Sequence, residues 1–383
     1  MCMSDTTNLK IAMLGHKRIP SREGGVEIVV EELSTHMAER GHSVTCYNRK
    51  GHHVSGKEYD KEEKPLTKYK GVKLKYVPTV NGKGLAAFSA SFFASIFAAF
   101  GDYDIVHYHA EGPCIMMWIP KLFGKKRCIA TIHGLDHRRA KWNCFAKFVI
   151  KMGERMAVRM ADEIIVLSHD MEIYFLKEYR RRTNFIPNGV SKPTVRNAEL
   201  ITEKYGLTKD SYILALSRLA PEKGIRYLID AYKNIETDKK LIIAGGSSDT
   251  KEFVDEMKER AADDDRIIFT GFVEGRELEE LYSNPYMYIL ASDVEGMPLS
   301  LLEAMSYGNC VLTSNIPECA EVIEDKGVTF ARGSTHDLQK KMQMLLDSPK
   351  TVDALRRSSK DFILSKYSWD EVINKTLELY MKE

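Results

Sequence analysis

Two glutamates, Glu295 and Glu303, flank the segment of this chain whose residue types best fit ligand chemistry, E-G-M-P-L-S-L-L-E. A strand-like apolar run at residues 286–290 leads into it, and Pro298 lies where a helix would begin, because the missing N–H of proline is not needed at the first helical position. The free backbone N–H groups at residues 297–300, with the helix dipole, favour an anion above the strand end. Two carboxylates beside such a site predict a ligand with both phosphates and hydroxyls. A surface loop before an ordinary helix is the alternative.

Two cations, Arg218 and Lys223, lie in one predicted strand-to-helix loop of the same half of the chain, S-R-L-A-P-E-K-G-I. A guanidinium that binds two oxygens and a flexible ammonium suit a diphosphate leaving group. Two solvated basic residues are the alternative, and the neighbouring glutamate segment favours the functional interpretation.

A glycine pair, Gly24 and Gly25, follows the first predicted strand, residues 9–14, and precedes a helix predicted at residues 26–40. A glycine loop between a strand and a helix brings backbone N–H groups near phosphate. The pair lacks the G-x-G-x-x-G spacing of dinucleotide sites, so a flexible turn remains the alternative.

Two histidines, His109 and His133, end strands predicted at residues 104–109 and 127–132. The carboxyl ends of parallel strands form the crevice in which such folds bind ligands. We interpret His109 as a packed or capping residue, whereas the position of His133 permits a functional role. The run Asp102-Tyr103-Asp104 matches a D-x-D metal motif, but it precedes its strand and therefore predicts a turn. No metal site is expected.

The composition is that of a globular chain of 383 residues, with 44% hydrophobic and 29% charged residues. Lys and Arg total 56 against 54 for Asp and Glu, which gives no basis for a nucleic-acid partner. Seven cysteines without a C-x-x-C pair predict reduced thiols and a cytoplasmic protein, and the N-terminus does not resemble a signal peptide.

Strands and helices alternate in both halves, which predicts an α/β fold of two doubly wound Rossmann-like domains facing a cleft. We expect domains at residues 1–188 and 189–365, separated by a turn-rich segment, and a C-terminal helix at residues 366–383 that crosses back to the N-terminal domain. Residues 85–100 are nearly uncharged but too short to span a bilayer, and predict a buried helix. The polar residues 48–70 predict a surface loop.

The stretches S-R-L-A-P-E-K-G and E-G-M-P-L-S-L-L-E-A-M resemble retaining glycosyltransferases of family 4, which have the GT-B fold. The resemblance covers nearly the whole chain. It implies same-face sugar transfer from a UDP-, GDP- or dTDP-sugar to a saccharide or lipid-linked saccharide, with no cofactor or metal. The N-terminal segment, I-A-M-L-G-H-K-R-I-P-S-R-E-G-G-V-E, is similar to bacterial rhamnosyltransferases of surface polysaccharide assembly, which suggests rhamnosyl transfer.

The resemblance also implies roles for individual residues. Glu295 would contact sugar hydroxyls, Glu303 the ribose, and His133 the region of the transferred sugar and acceptor. The glycine pair would approach the diphosphate from the opposite domain, and Val273 lies in a T-G-F-V turn that would read the base. The catalytic set is His133, Arg218, Lys223 and Glu295; the donor-binding set is Gly24, Gly25, Arg218, Lys223, Val273, Glu295, Gly296, Met297, Pro298, Leu299, Ser300 and Glu303.

A basic, partly aromatic segment at residues 138–160 predicts a helix with two open interpretations. Its cations form a solvated face over a core stripe, or they bind an anionic membrane together with Trp and Phe. The second interpretation would bring a cytoplasmic enzyme to the inner face of the cell membrane.

Other classes of protein share this layered architecture. A NAD-dependent dehydrogenase requires the spaced glycine motif, which neither half contains. A nucleotide-sugar epimerase of the same fold and a non-catalytic sugar-nucleotide-binding subunit remain open.

Overall fold

A computed structural model describes residues 8–50, 65–80, 82, 84–138, 143–246 and 251–382. It divides the described chain into two compact units. The first unit contains the residues up to Asn188 and those from Trp369 onward, and the second unit runs from Gly189 to Ser368.

Among the described residues of the first unit, eight strands form one sheet in the order β3-β4-β2-β1-β5-β6-β7-β8. They are β1 (Lys10–Leu14), β2 (Ser43–Arg49), β3 (Lys68–Tyr69), β4 (Val72–Val77), β5 (Ile105–His109), β6 (Arg127–Ile132), β7 (Glu163–Val166) and β8 (Asn184–Phe185). All neighbours are parallel except β3, which is antiparallel to β4. The strand order reverses between β1 and β5, and the loops that follow these two strands border the crevice of such sheets.

The described strands of the second unit form a parallel sheet of six in the order β11-β10-β9-β12-β13-β14. They are β9 (Tyr212–Leu216), β10 (Lys240–Ala244), β11 (Ile267–Gly271), β12 (Met287–Leu290), β13 (Val311–Ser314) and β14 (Val328–Phe330). The central strands are apolar and buried, as expected where helices cover both faces of a parallel sheet. Here the order reverses between β9 and β12.

Helices connect these strands in both units. They are α1 (Gly25–Glu39), α2 (Leu85–Ala99), α3 (Trp118–Leu122), α4 (Cys144–Met160), α5 (His169–Tyr179), α6 (Leu200–Tyr205), α7 (Ile225–Tyr232), α8 (Lys251–Ala261), α9 (Gly275–Ser283), α10 (Leu299–Ser306), α11 (Pro317–Ile323), α12 (Thr335–Leu346), α13 (Pro349–Lys366) and α14 (Trp369–Met381). The last helix, α14, packs in the first unit, where Arg40 donates hydrogen bonds to Asp370 and Asn374. None of the described helices is long and apolar enough to cross a membrane.

The fold class is confirmed: both units are Rossmann-like α/β domains with parallel sheets. Two predictions about elements of the first unit are wrong. The helix α2 is buried on one side only: Phe88 is 48% and Phe97 46% exposed. The sheet does not cover the side that carries these two rings. The predicted loop at residues 48–70 includes the end of β2 and all of β3, while its residues 51–64 lie outside the described residues.

The basic segment is also shorter as a helix than predicted. The helix α4 begins at Cys144, because the Asn143 side chain caps it by accepting a hydrogen bond from the Ala146 N–H at 2.9 Å. Arg138 ends a separate 3₁₀ turn at Asp136–Arg138, and residues 139–142 lie outside the described residues.

Candidate functional site

The loop after β12 and the helix α10 carry the paired glutamates of the second unit. Pro298 is the N-cap of α10, with ψ of 105°, and not its first helical residue as predicted, because the loop stays extended up to this point. The N–H groups of Leu299 and Ser300 precede the first helical hydrogen bonds, which Leu301 and Leu302 donate to the Pro298 carbonyl. The helix is packed on almost every side, so its N-terminus has a fixed direction. Gly296, Met297, Pro298 and Leu299 are buried, and Ser300 is half-buried.

Glu295 is held by a salt bridge across the two central strands of the second sheet. The Lys223 ammonium lies 2.5 Å from Glu295 Oε1, and the two side chains are 12% and 10% exposed. The Ser292 hydroxyl donates to the same oxygen at 2.6 Å. The structure therefore brings together a residue predicted to contact the diphosphate and a residue predicted to contact the sugar. Their separation in the chain hid this pairing from the sequence.

The loop that carries Arg218 and Lys223 packs directly against the loop of the glutamates. Gly224 has φ of +67°, and a Cβ atom there would lie 2.0 Å from the Ala291 carbonyl oxygen. Only glycine permits this approach. The Arg218 side chain is half-buried, and among the described residues its guanidinium has no recorded hydrogen-bond or salt-bridge partner. Arg218 therefore remains a cation that can bind an anion at the strand ends.

Glu303 receives a hydrogen bond that the sequence did not indicate. The Tyr282 hydroxyl donates to Glu303 Oε2 at 3.1 Å, from the helix α9. Tyr282 is buried and stacks on Tyr307, with ring centroids 5.3 Å apart. This contact orients the second carboxylate of the motif, but no spacing in the chain links residues 282 and 303.

Asp293 also has an aromatic partner. The Tyr227 hydroxyl lies 3.1 Å from Asp293 Oδ1, and burial raises the pKa of this carboxyl. Ser292 and Asp293 lie three and two residues before Glu295, so the same loop carries all three side chains.

The predicted base-binding turn lies at the far side of the same sheet. The strand β11 ends at Gly271, whose carbonyl accepts a hydrogen bond from the Gly245 N–H at 2.8 Å. Val273 follows and is buried. This turn shares the carboxyl edge of the sheet with Arg218 but is separated from β9 by β10.

In the first unit, the glycine pair occupies the loop after β1, at the reversal of strand order. Gly24 is the N-cap of α1, and Gly25 is its first residue. A Cβ atom at Gly24 would lie 2.5 Å from Glu27 Oε2. The backbone at this helix start is therefore close to a buried carboxylate of its own first turn.

The strand-end histidines of the first unit form a stack. The ring centroids of His107 and His109 are 4.2 Å apart, and those of His109 and His133 are 5.3 Å apart. His109 Nδ1 lies 3.0 Å from His133 Nε2, while His107 contacts the Tyr380 hydroxyl of α14 at 2.6 Å. Burial lowers the pKa of His107 to about 3 and that of His109 well below its ordinary value, so both rings are neutral. His133 is the half-exposed end of this stack.

The D-x-D run is a turn, as predicted. The Lys10 N–H donates to Asp104 at 2.7 Å, and the Lys10 ammonium lies 2.6 Å from Asp102. Both contacts lie before β5, at the amino edge of the sheet and away from the histidines.

Two family models match the chain, one in each half. Residues 23–192 match Glycosyltransferase Family 4, and residues 197–362 match Glycosyl transferases group 1. The UDP-Gal:alpha-D-GlcNAc-diphosphoundecaprenol alpha-1,3-galactosyltransferase of Escherichia coli is 24% identical over 299 residues, 73% of this chain and 75% of that protein. An uncharacterized glycosyltransferase of Methanocaldococcus jannaschii is 28% identical over 175 residues, so the match spans only 45% of that relative.

Solved structures show the same fold. The sucrose-phosphate synthase of Thermosynechococcus elongatus superimposes with a TM-score of 0.81 at 19% identity, over 97% of this chain and 98% of that one. The chain therefore has the GT-B fold.

Proposed function

Because both halves of the chain match glycosyltransferase domain families, we propose that the protein is a retaining, metal-independent glycosyltransferase. It transfers a sugar from a nucleotide-diphosphate donor to a saccharide or lipid-linked saccharide. The observation that carries this proposal is the Lys223–Glu295 pair, which is largely shielded from solvent and lies with Arg218 where the strand order of the second sheet reverses. Cations and a carboxylate in one place suit a ligand that joins a diphosphate to a sugar.

The proposed role of the cations Arg218 and Lys223 is to stabilise the leaving group. As the glycosidic C–O bond breaks, negative charge grows on the diphosphate, and fixed positive charges stabilise this change most. Arg218 binds two phosphate oxygens, and the three donors of the Lys223 ammonium serve Glu295 and a phosphate oxygen together. The N-terminus of α10 adds backbone N–H groups. These groups supply the positive charge that a metal ion supplies in other transferases.

The sugar and the acceptor meet the remaining groups. Glu295, oriented by Lys223 and Ser292, accepts hydrogen bonds from sugar hydroxyls, and Glu303, oriented by Tyr282, accepts them from the ribose. The acceptor oxygen attacks the face from which the diphosphate leaves, and a donor phosphate oxygen takes its proton. The configuration at the sugar carbon is thereby retained.

The choice of substrates rests on similarity. The N-terminal segment suggests rhamnosyl transfer in the assembly of a bacterial surface polysaccharide. The Escherichia coli relative carries in its name an acceptor linked to diphosphoundecaprenol, which supports a lipid-linked acceptor. We therefore assign the protein to the cytoplasm, at the inner face of the cell membrane.

An exposed apolar face on the first unit supports a peripheral membrane contact. On α4, Phe145 is 75% and Phe148 57% exposed, and Met152 follows on the same side. Arg155 and Arg159 are exposed further along this helix. Exposed aromatic rings next to cations favour an anionic lipid surface.

A donor screen tests the proposed function. The purified protein is incubated with UDP-, GDP- and dTDP-sugars, with and without a lipid-linked acceptor, and nucleoside diphosphate and product are measured. We expect transfer from one donor class, dTDP-rhamnose first, with retained anomeric configuration by NMR. An epimer formed without acceptor would indicate the epimerase, and donor binding without any turnover would indicate a non-catalytic subunit.

A further inference from the structure

Three side chains of the first unit direct possible metal-ligand atoms at one point. The proposed reaction uses none of these side chains. Glu111 follows β5, His137 lies in the 3₁₀ turn after β6, and Glu154 lies in the middle of α4. Glu111 and Glu154 are 0% exposed, and His137 is 19% exposed. One ligand atom from each lies within 4.8 Å of the others.

Among the described residues, these ligand atoms have one another as their close polar neighbours, in salt-bridge contacts of His137 with both carboxylates. The ligand atoms are Glu111 Oε1, His137 Nδ1 and Glu154 Oε2. Two buried carboxylates at one point cost several kcal/mol unless a positive charge lies between them, so the cluster requires a cation or a protonated His137.

The opposite oxygens of both carboxylates are fully engaged. Glu111 Oε2 accepts a hydrogen bond from the Asp136 N–H at 2.9 Å. Glu154 Oε1 accepts hydrogen bonds from Lys151, Tyr174 and Tyr179. The protein thus fixes the outer oxygen of each carboxylate by hydrogen bonds and directs the inner one to the shared point, as the hydrogen-bonding neighbours of metal ligands do.

The spacing of the inner atoms fits a small cation. His137 Nδ1 lies 3.6 Å from Glu111 Oε1 and 3.2 Å from Glu154 Oε2. Ligands bound at about 2.1 Å in tetrahedral or octahedral geometry are separated by about 3.0–3.4 Å. Two carboxylate oxygens and one imidazole nitrogen suit a first-row transition cation better than Ca²⁺ or Mg²⁺, which prefer oxygen ligands.

We propose that Glu111, His137 and Glu154 form a binding site for a divalent transition cation such as Zn²⁺. The cation joins the end of β5, the turn after β6 and the helix α4. It fixes the segment from His133 to His137. Without a cation, a proton on His137 takes its place. Hydrogen bonds to Glu111 and, less strongly, to Glu154 raise the pKa of His137 to about 9.

Close packing explains how three distant segments meet here. A Cβ atom at Gly153, the residue before Glu154, would lie 2.1 Å from the Glu111 carbonyl oxygen. The helix α4 therefore touches the backbone at residue 111, and a larger residue at position 153 would move Glu154 away from the site.

Metal titration of the full chain tests the site. Protein treated with chelator and then freed of it is titrated with Zn²⁺ against a chromogenic chelator, and its Tm is followed. We expect one Zn²⁺ per chain, a rise in Tm, and affinity lowered more than about hundredfold in Glu111→Gln and about tenfold to hundredfold in Tyr179→Phe. The control Glu32→Gln, in the half-buried His36–Glu32 pair of α1, should bind as the wild type does.

The variant His137→Cys gives a spectroscopic readout that does not depend on the folding of the other variants. In His137→Cys loaded with Co²⁺ we expect a thiolate-to-cobalt charge-transfer band that the Co²⁺-loaded wild type lacks. Absence of stoichiometric Zn²⁺ binding to the wild type, unchanged Zn²⁺ affinity in Glu111→Gln, or absence of that band would overturn the proposal. These readouts do not depend on sugar transfer, so the site and the proposed function fail separately.

Discussion

The two units place opposite chemistry at the ends of their central strands. The second unit holds a charged pair, Lys223 and Glu295, with a further cation at Arg218. The first unit holds a stack of imidazoles in which His107 and His109 are neutral. Charge suits the diphosphate end of a donor, whereas neutral hydrogen-bonding rings suit uncharged hydroxyls. In the proposed reaction, the second unit therefore stabilises the leaving group.

The largest effect is expected from removing a cation of the second unit. Lys223→Ala or Arg218→Ala should lower kcat about hundredfold or more, the scale of losing one contact to developing charge. The control is Lys204→Ala, which removes another lysine–glutamate pair, Lys204–Glu277, with the lysine 44% exposed. Near-normal turnover in both Lys223→Ala and Arg218→Ala would remove the basis of the comparison.

Acid should weaken the first unit through its neutral histidines. Burial lowers the pKa of His107 to about 3 and that of His16 to about 4, both below the ordinary 6.5. Because the unfolded chain then binds more protons, stability falls as the pH decreases from 6.5 toward these values. At pH 5 each group costs about 2 kcal/mol relative to pH 7.

Urea unfolding at pH 7 and pH 5 measures this effect. The loss of stability between the two pH values should be smaller by about 2 kcal/mol in His107→Gln than in the wild type. The control His36→Gln replaces a half-buried histidine of α1 and should lose as much stability between the two pH values as the wild type does. An equal loss in His107→Gln would mean that His107 is protonated in the folded state.

The two glutamates of the second unit should differ in kinetics. In the proposed reaction Glu303 holds the ribose, which does not change during transfer, so Glu303→Gln should raise the donor KM about tenfold with little change in kcat. Glu295 is proposed to contact the sugar, whose charge and shape change, so Glu295→Gln should mainly lower kcat. Steady-state kinetics with saturating acceptor separate the two. A reversed pattern would mean that the donor lies in the opposite orientation.

The sequence revealed the second site better than the first for a physical reason. Most of the second site lies in two strand-to-helix loops, whose glycine, proline and charged residues are close in the chain. The contacts of Tyr282 with Glu303 and of Lys223 with Glu295 join residues far apart, and no local pattern encodes them. The fold class followed from alternating apolar strands and helices.

The first unit is assembled almost entirely from distant segments. His107 is completed by Tyr380 of the last helix, and the Glu111–His137–Glu154 cluster joins three separate elements. The exposed face of α2 could not be predicted from composition, because its nearly uncharged sequence is also typical of a buried helix. Only the position of the sheet decides which side of the helix is covered.

A smaller effect is expected on membrane binding, because the two units differ in the apolar residues that they expose. Exposed large apolar residues are concentrated in the described part of the first unit, including Phe145 and Phe148. Replacing both with Ser should reduce sedimentation with anionic vesicles several-fold, and added salt should weaken the wild-type binding. The control Met344→Ser changes an exposed residue of the second unit. Equal binding of all variants, or binding to neutral vesicles alone, would favour a solvated face.

The most direct test of the central claim is the rate of sugar transfer in excess EDTA. We expect excess EDTA to leave the initial rate of Glu111→Gln unchanged, because in the proposed reaction Arg218 and Lys223 supply the positive charge at the diphosphate. The assay includes Glu111→Gln, which lacks the proposed cation site of the first unit, so an effect there is separated from one at the donor. Loss of transfer in both proteins, restored by Mg²⁺ or Mn²⁺, would contradict the account.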